Sequence, residues 1–187
     1  MVLEISDVLI ECKSRNIQRR DVLEKLSEIE GVYVPVYGRR PVKRRIISHL
    51  KKEYAPEKQI VPFGKPVHDR YVVEVSKGCS RGCRFCYAGM INRPVRERVI
   101  SDIEWILDKG LKATGYEEVG LLSLSVGDFS ALDKLISLTF SRCIRENISL
   151  SLPSLRAGSV PEDLIKKYSK TKKQGFDPGS RGRHPEA

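Results

Sequence analysis

Hydrophobic positions follow two different spacings in the part of the chain that begins at Arg70. Short apolar runs, rich in β-branched residues, predict strands over 71–75, 119–125 and 148–152. Apolar residues at helical spacing predict helices over 95–109, 130–145 and 159–168. The last of these opens with Ser-Val-Pro-Glu, which is typical of a capped helix start. Because strand and helix alternate three times, we expect parallel strands joined by right-handed crossover helices.

The residues before Arg70 show a weaker pattern. A short helix is predicted over 21–29, a strand-like segment over 31–35, and a helix over 42–54 within a basic connector that contains several prolines. The chain is thus predicted to have three parts, listed here in order: an N-terminal extension and connector over 1–66 (the remnant of a preceding domain), a core over 67–176, and an irregular basic tail over 177–187.

The predicted core is too short to close a barrel. Three strand–helix units occupy it, and the fourth strand that should begin near Gly175 is replaced by a turn-rich basic run from Asp177 onward. We therefore expect an α/β fold, a partial (β/α) barrel of about three units with a helical N-terminal extension. A truncated or frameshifted product would explain the half barrel and the change of composition together.

The net charge and the cysteines indicate which ligands and which cell compartment the protein is suited to. The 187 residues carry a formal net charge of +10, and half of it lies from Lys166 onward. A solvated linker and tail explain this charge as well as a phosphate-binding surface does. Five cysteines, three of them within eight positions, favour a reducing compartment and a metal over a disulfide framework. With no long apolar segment and no basic leader, the sequence predicts a cytoplasmic protein without membrane contact.

The strongest chemical signal is the loop over 77–86, which follows the first predicted strand. Its cysteines have the spacing C-x3-C-x2-C, and the candidate metal ligands are Cys79, Cys83 and Cys86. Three thiolates on one short loop can bind three irons of a [4Fe–4S] cluster and leave the fourth open for substrate. Glycines at 78 and 82 permit a tight loop, and nearby cations favour thiolates: Lys77, Arg81 and Arg84.

Other interpretations of these cysteines stay open. Zinc sites use cysteine too, but usually with a second Cys pair or His, and here only His68 is near in sequence. Three buried free thiols are a further alternative. Cys12 and Cys143 differ from the loop cysteines, because each stands in an apolar setting and is predicted to be a core thiol.

The loop and its surroundings resemble the radical S-adenosylmethionine superfamily. The resemblance rests on the cysteine spacing, on aromatic Phe85 before the third Cys, and on the position of the motif after the first strand. The longer strings over 70–90 and 93–98 are similar to a subgroup whose members carry an N-terminal cobalamin-binding-type domain. The resemblance covers about residues 20 to 176, and it implies a partial barrel of the radical S-adenosylmethionine type.

The resemblance also implies roles for individual residues. The three cysteines would ligate three irons, and the fourth iron would chelate the amino and carboxylate groups of S-adenosylmethionine. One electron would then cleave the sulfonium to methionine and a 5′-deoxyadenosyl radical. The expected cofactor contacts are Phe85 near the adenine and, at the end of the second strand, Ser125, Gly127 and Asp128 in place of the usual Gly-Gly-Glu.

Two of these assignments have alternatives. Asp128 could instead be the N-terminal cap of the following helix. Arg156, together with Ser151 and Ser154, would face the same rim from the end of the third strand and could pair with a carboxylate. Arg156 could equally be an ordinary surface residue. Arg93, Arg96 and Arg98 either bind phosphate or pair with acidic residues of the following helix.

The resemblance is incomplete in ways that affect function. The Asp-x-His-x-x-Gly cobalamin motif is missing from the sequence, which argues against cobalamin binding. The expected partners are a flavodoxin- or ferredoxin-like electron donor, an RNA substrate suggested by the basic composition, and a separately encoded C-terminal half. The motif predicts a radical enzyme. The missing half barrel favours a cluster- or zinc-binding nucleic-acid module, or an inactive fragment.

Overall fold

The computed structural model describes residues 1–38, 41–64, 66–152, 155–156, 158–159 and 163. The chain divides after Ile47 into two compact units. The first unit contains helices α1 (Val2–Ser14) and α2 (Arg19–Ser27) and a 3-10 turn over Pro35–Tyr37. The two helices pack on each other, and Cys12 is buried, as predicted for a core thiol.

The first unit departs from the sequence predictions at three places. Helix α1 was not predicted. The segment over 31–35 is no strand and leads into the 3-10 turn, which begins at Pro35. The predicted helix over 42–54 is wrong, because only the 3-10 turn Lys52–Tyr54 forms there. Adjacent cations at 43–45, with no acidic residue among them, and β-branched residues on both sides oppose a helix in this segment.

The second unit is built on a three-stranded parallel sheet. Its strands are β1 (Tyr71–Glu74), β4 (Glu118–Leu122) and β5 (Ser149–Ser151), in the spatial order β1–β4–β5. A separate antiparallel ribbon pairs β2 (Ser76–Lys77) with β3 (Arg96–Glu97). The helices are α3 (Tyr87–Ile91), α4 (Ile100–Thr114) and α5 (Leu132–Glu146). The α/β class and the parallel strands are confirmed.

Helices α4 and α5 cover one face of the sheet. Their apolar sides pack on the apolar face of the strands, which removes both from water. Alternate strand residues such as Tyr71, Val73 and Leu121 are buried, and α4 and α5 contact β1 and β5 respectively. Helix α4 begins five residues later than predicted, since Arg96 and Glu97 are paired in β3. It ends at Gly115, whose φ of 71° is the left-handed conformation common after helices.

Within the second unit, Arg98 joins the segment at Leu50 and Lys51 to the end of β1. Its side chain is only 4% exposed. It donates hydrogen bonds to the carbonyl oxygens of Leu50 at 3.0 Å, Lys51 at 2.6 Å and Glu74 at 3.1 Å. Both sequence interpretations of Arg98, phosphate binding and pairing along a helix, are therefore wrong.

Cys143 on α5 predicts a loss of stability in alkaline solution. Burial, with a smaller effect of the Glu146 carboxylate, raises the pKa of this thiol to about 11, whereas an unfolded thiol titrates near about 8.5. The stabilising contribution is therefore complete below about pH 8.5 and is lost as the pH rises through about 11. We expect the unfolding free energy to fall by about 3 kcal/mol from this group.

Urea unfolding at several pH values between 8 and 11 measures this effect, with Cys143→Ala as the comparison. Other groups titrate in the same range, so the difference between the two proteins isolates Cys143. The variant should have the shallower pH dependence. Equal slopes in both proteins would contradict the assignment.

No helix in the described part of the chain is long and apolar enough to cross a bilayer. The predicted tail over 177–187, the fourth-strand position near Gly175, Ser154 and nearly all of the predicted helix over 159–168 lie outside the described residues.

Candidate cysteine-loop site

The cysteine loop, residues 78–86, leaves the carboxyl end of β1 through the short strand β2 and leads into α3. It begins at Gly78, whose φ is 92°. A Cβ at this position would lie 2.5 Å from the Pro94 carbonyl oxygen and 2.6 Å from that of Asn92. Glycine is therefore required at 78 by both backbone angle and space. Gly82 meets neither requirement, because nothing lies within 4 Å of its Cβ position and its φ is not positive.

All three loop cysteines are free and half-buried. The Cys83 amide donates to the Arg81 carbonyl at 3.1 Å, and the Cys86 amide donates to the Cys83 carbonyl at 3.0 Å. The Cys79 sulfur accepts the Arg81 amide at 3.4 Å. The alternative of three buried core thiols is wrong, because the loop cysteines are only partly buried whereas Cys12 and Cys143 are fully buried.

Among the described residues, no three His, Cys, Asp or Glu side chains converge around one point that could hold a metal ion. Nδ1 of His68, the possible zinc ligand, accepts a hydrogen bond from the Arg70 guanidinium at 2.8 Å. Arg70 also contacts Glu118 and the Ser151 hydroxyl. Ser151 is thus held by a residue that precedes β1, and its hydroxyl is engaged there.

Polar residues that follow β4 form the opposite wall of the site. The hydroxyls of Ser76 and Ser123 lie 2.6 Å apart, and the Ser123 oxygen accepts the Ser125 amide at 3.1 Å. The Ser125 hydroxyl is buried and makes no well-aligned hydrogen bond to another described residue. It is nevertheless close enough to the Asp128 carboxylate to favour that group's ionised form. A buried hydroxyl in this position retains hydrogen-bonding capacity for a ligand.

Asp128 joins this wall to the cysteine loop. Its carboxylate accepts hydrogen bonds from Arg81 at 2.8 Å (Nε to Oδ2) and 2.5 Å (Nη2 to Oδ1). The Arg81 guanidinium is the main cause of the lowered pKa of Asp128, and Arg156 contributes at longer range. The alternative role of Asp128 as a helix cap is wrong, because α5 begins at Leu132 and its N-cap position is Ala131.

A second connection runs parallel to the first. The Glu97 carboxylate on β3 accepts the Ser130 amide at 2.8 Å and also the Ser130 hydroxyl. The β2–β3 ribbon and the cysteine loop are therefore both fastened to the turn that follows β4. Neither pairing was predicted.

These walls enclose a small concavity of about 20 Å³, which is room for about one water-sized group. Its lining residues come from β2, the cysteine loop, β3 and the end of β4: Ser76, Gly78, Cys79, Ser80, Val95, Glu97, Ser125 and Asp128. Of the predicted site residues, the structure thus brings Cys79, Ser125 and Asp128 together. A polar concavity beside half-buried thiols can accept a small polar group of a ligand.

The remaining predicted cofactor residues have different surroundings. Phe85 is 93% exposed. Gly127 faces Ser159, whose hydroxyl oxygen would lie 2.3 Å from a Cβ at 127. Arg156 is exposed and acts on Asp128 through its charge. These three residues lie outside the set that lines the concavity.

Comparison with curated proteins finds relatives of this chain. The chain is 28% identical over 171 residues to an uncharacterized protein of the archaeon Methanocaldococcus jannaschii. The match covers 88% of this chain and 36% of that protein, so the chain spans about a third of the length of this relative. Neither a protein-family model nor a solved structure matches the chain.

Proposed function

We propose that the chain holds a [4Fe–4S] cluster on Cys79, Cys83 and Cys86 and binds S-adenosylmethionine beside it, for reductive cleavage that generates a radical. The observation that carries the proposal is the concavity shared by Cys79, Ser125 and Asp128 at the carboxyl end of a parallel sheet. Ligands of α/β folds bind at this end of the strands. The spacing C-x3-C-x2-C supplies three thiolates and no fourth.

The donor set fits a cluster. Each thiolate of a cubane binds a different iron, so the three sulfur atoms need not converge on one point as they would around zinc. The loop is half-buried, which lets thiolates face a cluster while solvent retains access. The cations Lys77, Arg81 and Arg84 lie in or next to the loop, where their charges would oppose that of an anionic cluster.

Residues of the opposite wall fit the polar end of an amino acid. The Asp128 carboxylate stays ionised well below neutral pH, since Arg81 holds its pKa low. The Ser125 hydroxyl has unused hydrogen-bonding capacity, and both can accept hydrogen bonds from an ammonium group. When bound, the cluster supplies one electron to the sulfonium of S-adenosylmethionine, which yields methionine and a 5′-deoxyadenosyl radical.

The electron must come from a separate donor, for which a flavodoxin- or ferredoxin-like protein is our proposal. The substrate attacked by the radical is a further proposal, with RNA favoured by the net charge of +10. A separately encoded C-terminal half that would complete the barrel is a further proposed partner.

The proposal is tested by product analysis. Protein purified without oxygen is reconstituted with iron and sulfide, reduced with dithionite and given S-adenosylmethionine, and 5′-deoxyadenosine is measured by mass spectrometry. We expect 5′-deoxyadenosine only when both reductant and cluster are present. A loaded cluster without this product would refute cleavage. Stoichiometric zinc that reconstitution leaves unchanged would refute the cluster and favour a zinc-binding module.

A further inference from the structure

We infer that Arg81 and Asp128 act as a positioning pair. Asp128 holds the Arg81 guanidinium beside the loop cysteines, where the positive charge of Arg81 would stabilise the reduced form of the cluster. This inference rests on the proposed function. The Arg81–Asp128 pair, called the latch below, would thus help to set the reduction potential of the cluster.

The geometry of the latch is specific. Arg81 donates two hydrogen bonds to the two carboxylate oxygens of Asp128, at 2.8 and 2.5 Å. This bidentate arrangement fixes both the position and the plane of a guanidinium. The pair joins residues 47 positions apart, and Asp128 itself lies in the 3-10 turn Val126–Asp128.

Arg81 is also tied to the cysteines through its backbone. Its amide donates to the Cys79 sulfur at 3.4 Å, and its carbonyl accepts the Cys83 amide at 3.1 Å. The Arg81 guanidinium lies close enough to Cys79 and Cys83 for its charge to interact with their ionised forms. Whatever fixes the Arg81 side chain therefore fixes a cation next to two of the three proposed ligands.

The latch is not a major source of global stability. The Arg81 side chain is 47% exposed and that of Asp128 is 19% exposed, and exposed ion pairs contribute little to unfolding free energy. Its effect is local instead. A cation fixed near the cluster favours the reduced state, which carries one more negative charge, and the Asp128 charge partly cancels this effect.

A double-mutant cycle distinguishes this electrostatic role from a structural one. Arg81→Gln removes the cation and should lower the reduction potential. Asp128→Asn removes an anion but also releases Arg81, so it should raise the potential less in the wild-type background than in the Arg81→Gln background, where no cation is left to release. Equal shifts in the two backgrounds would mean that Asp128 does not position Arg81.

A matched control is available in the same loop. Arg84→Gln removes the same formal charge, but the Arg84 side chain is exposed and has no hydrogen bond or ion pair within the described part of the chain. We expect its effect on the potential to be clearly smaller than that of Arg81→Gln. Arg81→Gln should change the reduction equilibrium constant three- to tenfold, which corresponds to about 30 to 60 mV for one electron.

The experiment has two measurements on the full chain. The first is hydrogen exchange by mass spectrometry on protein without iron, where both latch variants should speed exchange over 78–86 and Arg84→Gln should not. The second is redox titration of the reconstituted cluster by EPR, without S-adenosylmethionine, so that ligand contacts of Asp128 play no part.

Each outcome decides between the claims. Unchanged exchange in both latch variants would overturn the latch, whether or not a cluster loads. An unchanged potential in Arg81→Gln, equal shifts of Asp128→Asn in the two backgrounds, or an equal effect of Arg84→Gln would overturn the electrostatic role while leaving the proposed function intact. Failure of the wild-type protein to load iron would refute the proposed function and the electrostatic role with it. A lowered potential in Arg81→Gln, together with a shift of Asp128→Asn that depends on the background, would support both.

Discussion

Changing Cys83 to Ala is expected to abolish cluster loading and leave the fold intact. Cys83 is the central ligand of the proposed set, and the two thiolates that remain cannot hold a cubane that is already short of one protein ligand. Iron content after anaerobic reconstitution should fall from about four per chain to background. Because Cys83 is half-buried in a loop, the circular dichroism spectrum should not change.

The control for this prediction is Cys143→Ala. Cys143 is buried on α5 and is 1% exposed, so its loss should lower stability and leave iron loading unchanged. Equal loading of wild type and Cys83→Ala would show that the ligands are assigned wrongly. Loss of loading in the Cys143 variant, if that protein is folded, would show that loading reports fold stability and not ligation.

Gly78→Ala is expected to displace the start of the cysteine loop. The residue has a φ of 92°, which costs a non-glycine residue about 1 to 2 kcal/mol. The new Cβ would also lie 2.5 Å from one backbone carbonyl oxygen and 2.6 Å from another, and backbone cannot move aside as a flexible side chain can. We expect a loss of about 2 to 4 kcal/mol in unfolding free energy, or a shifted loop that loads less iron.

Gly82→Ala is the matched control, four residues further along the same loop. Open space surrounds its Cβ position, so neither stability nor iron content should change appreciably. Urea unfolding and iron analysis of the two variants side by side measure the difference. If Gly78→Ala behaved like Gly82→Ala in both measurements, the conformation described for the start of the loop would be incorrect.

The parallel core could be predicted because its signals are local and repeat. Apolar runs at 71–75 and 148–152 include β1 and β5, since a strand buried on one face needs few residues to show its pattern. Helix α5 was predicted within two residues of its observed bounds. The start of α4 was not, because the β2–β3 ribbon depends on pairing between segments about 20 residues apart.

Helix α1 shows what local reasoning can overlook. Ile5, Val8 and Cys12 recur at helical spacing and are the less exposed positions of that segment. The period was therefore present in the sequence but stood beside several exposed apolar residues, which blurred the amphipathic pattern. The opposite error occurred over 42–54, where apolar residues at helical spacing lie in a segment too basic to form a helix.

The candidate site also has a part that could be predicted from the sequence and a part that could not. The cysteine ligands could be proposed from spacing alone, because they lie within eight positions. The partners of the opposite wall could not, since Arg81 and Asp128 are 47 residues apart, and Glu97 and Ser130 are 33 apart. Neither the 3-10 turn that carries Asp128 nor the late start of α5 has a strong sequence signature, which is why a cap was a reasonable alternative for Asp128.

The measurement that tests the central claim most directly is EPR of the reconstituted, reduced protein before and after S-adenosylmethionine is added. The claim is that Cys79, Cys83 and Cys86 bind three irons and leave the fourth open. It predicts about four iron and four sulfide per chain and a reduced-cluster signal that changes when S-adenosylmethionine is added, because the open iron gains new ligands. A signal that S-adenosylmethionine leaves unchanged, or a protein that takes up zinc and no iron, would contradict the claim.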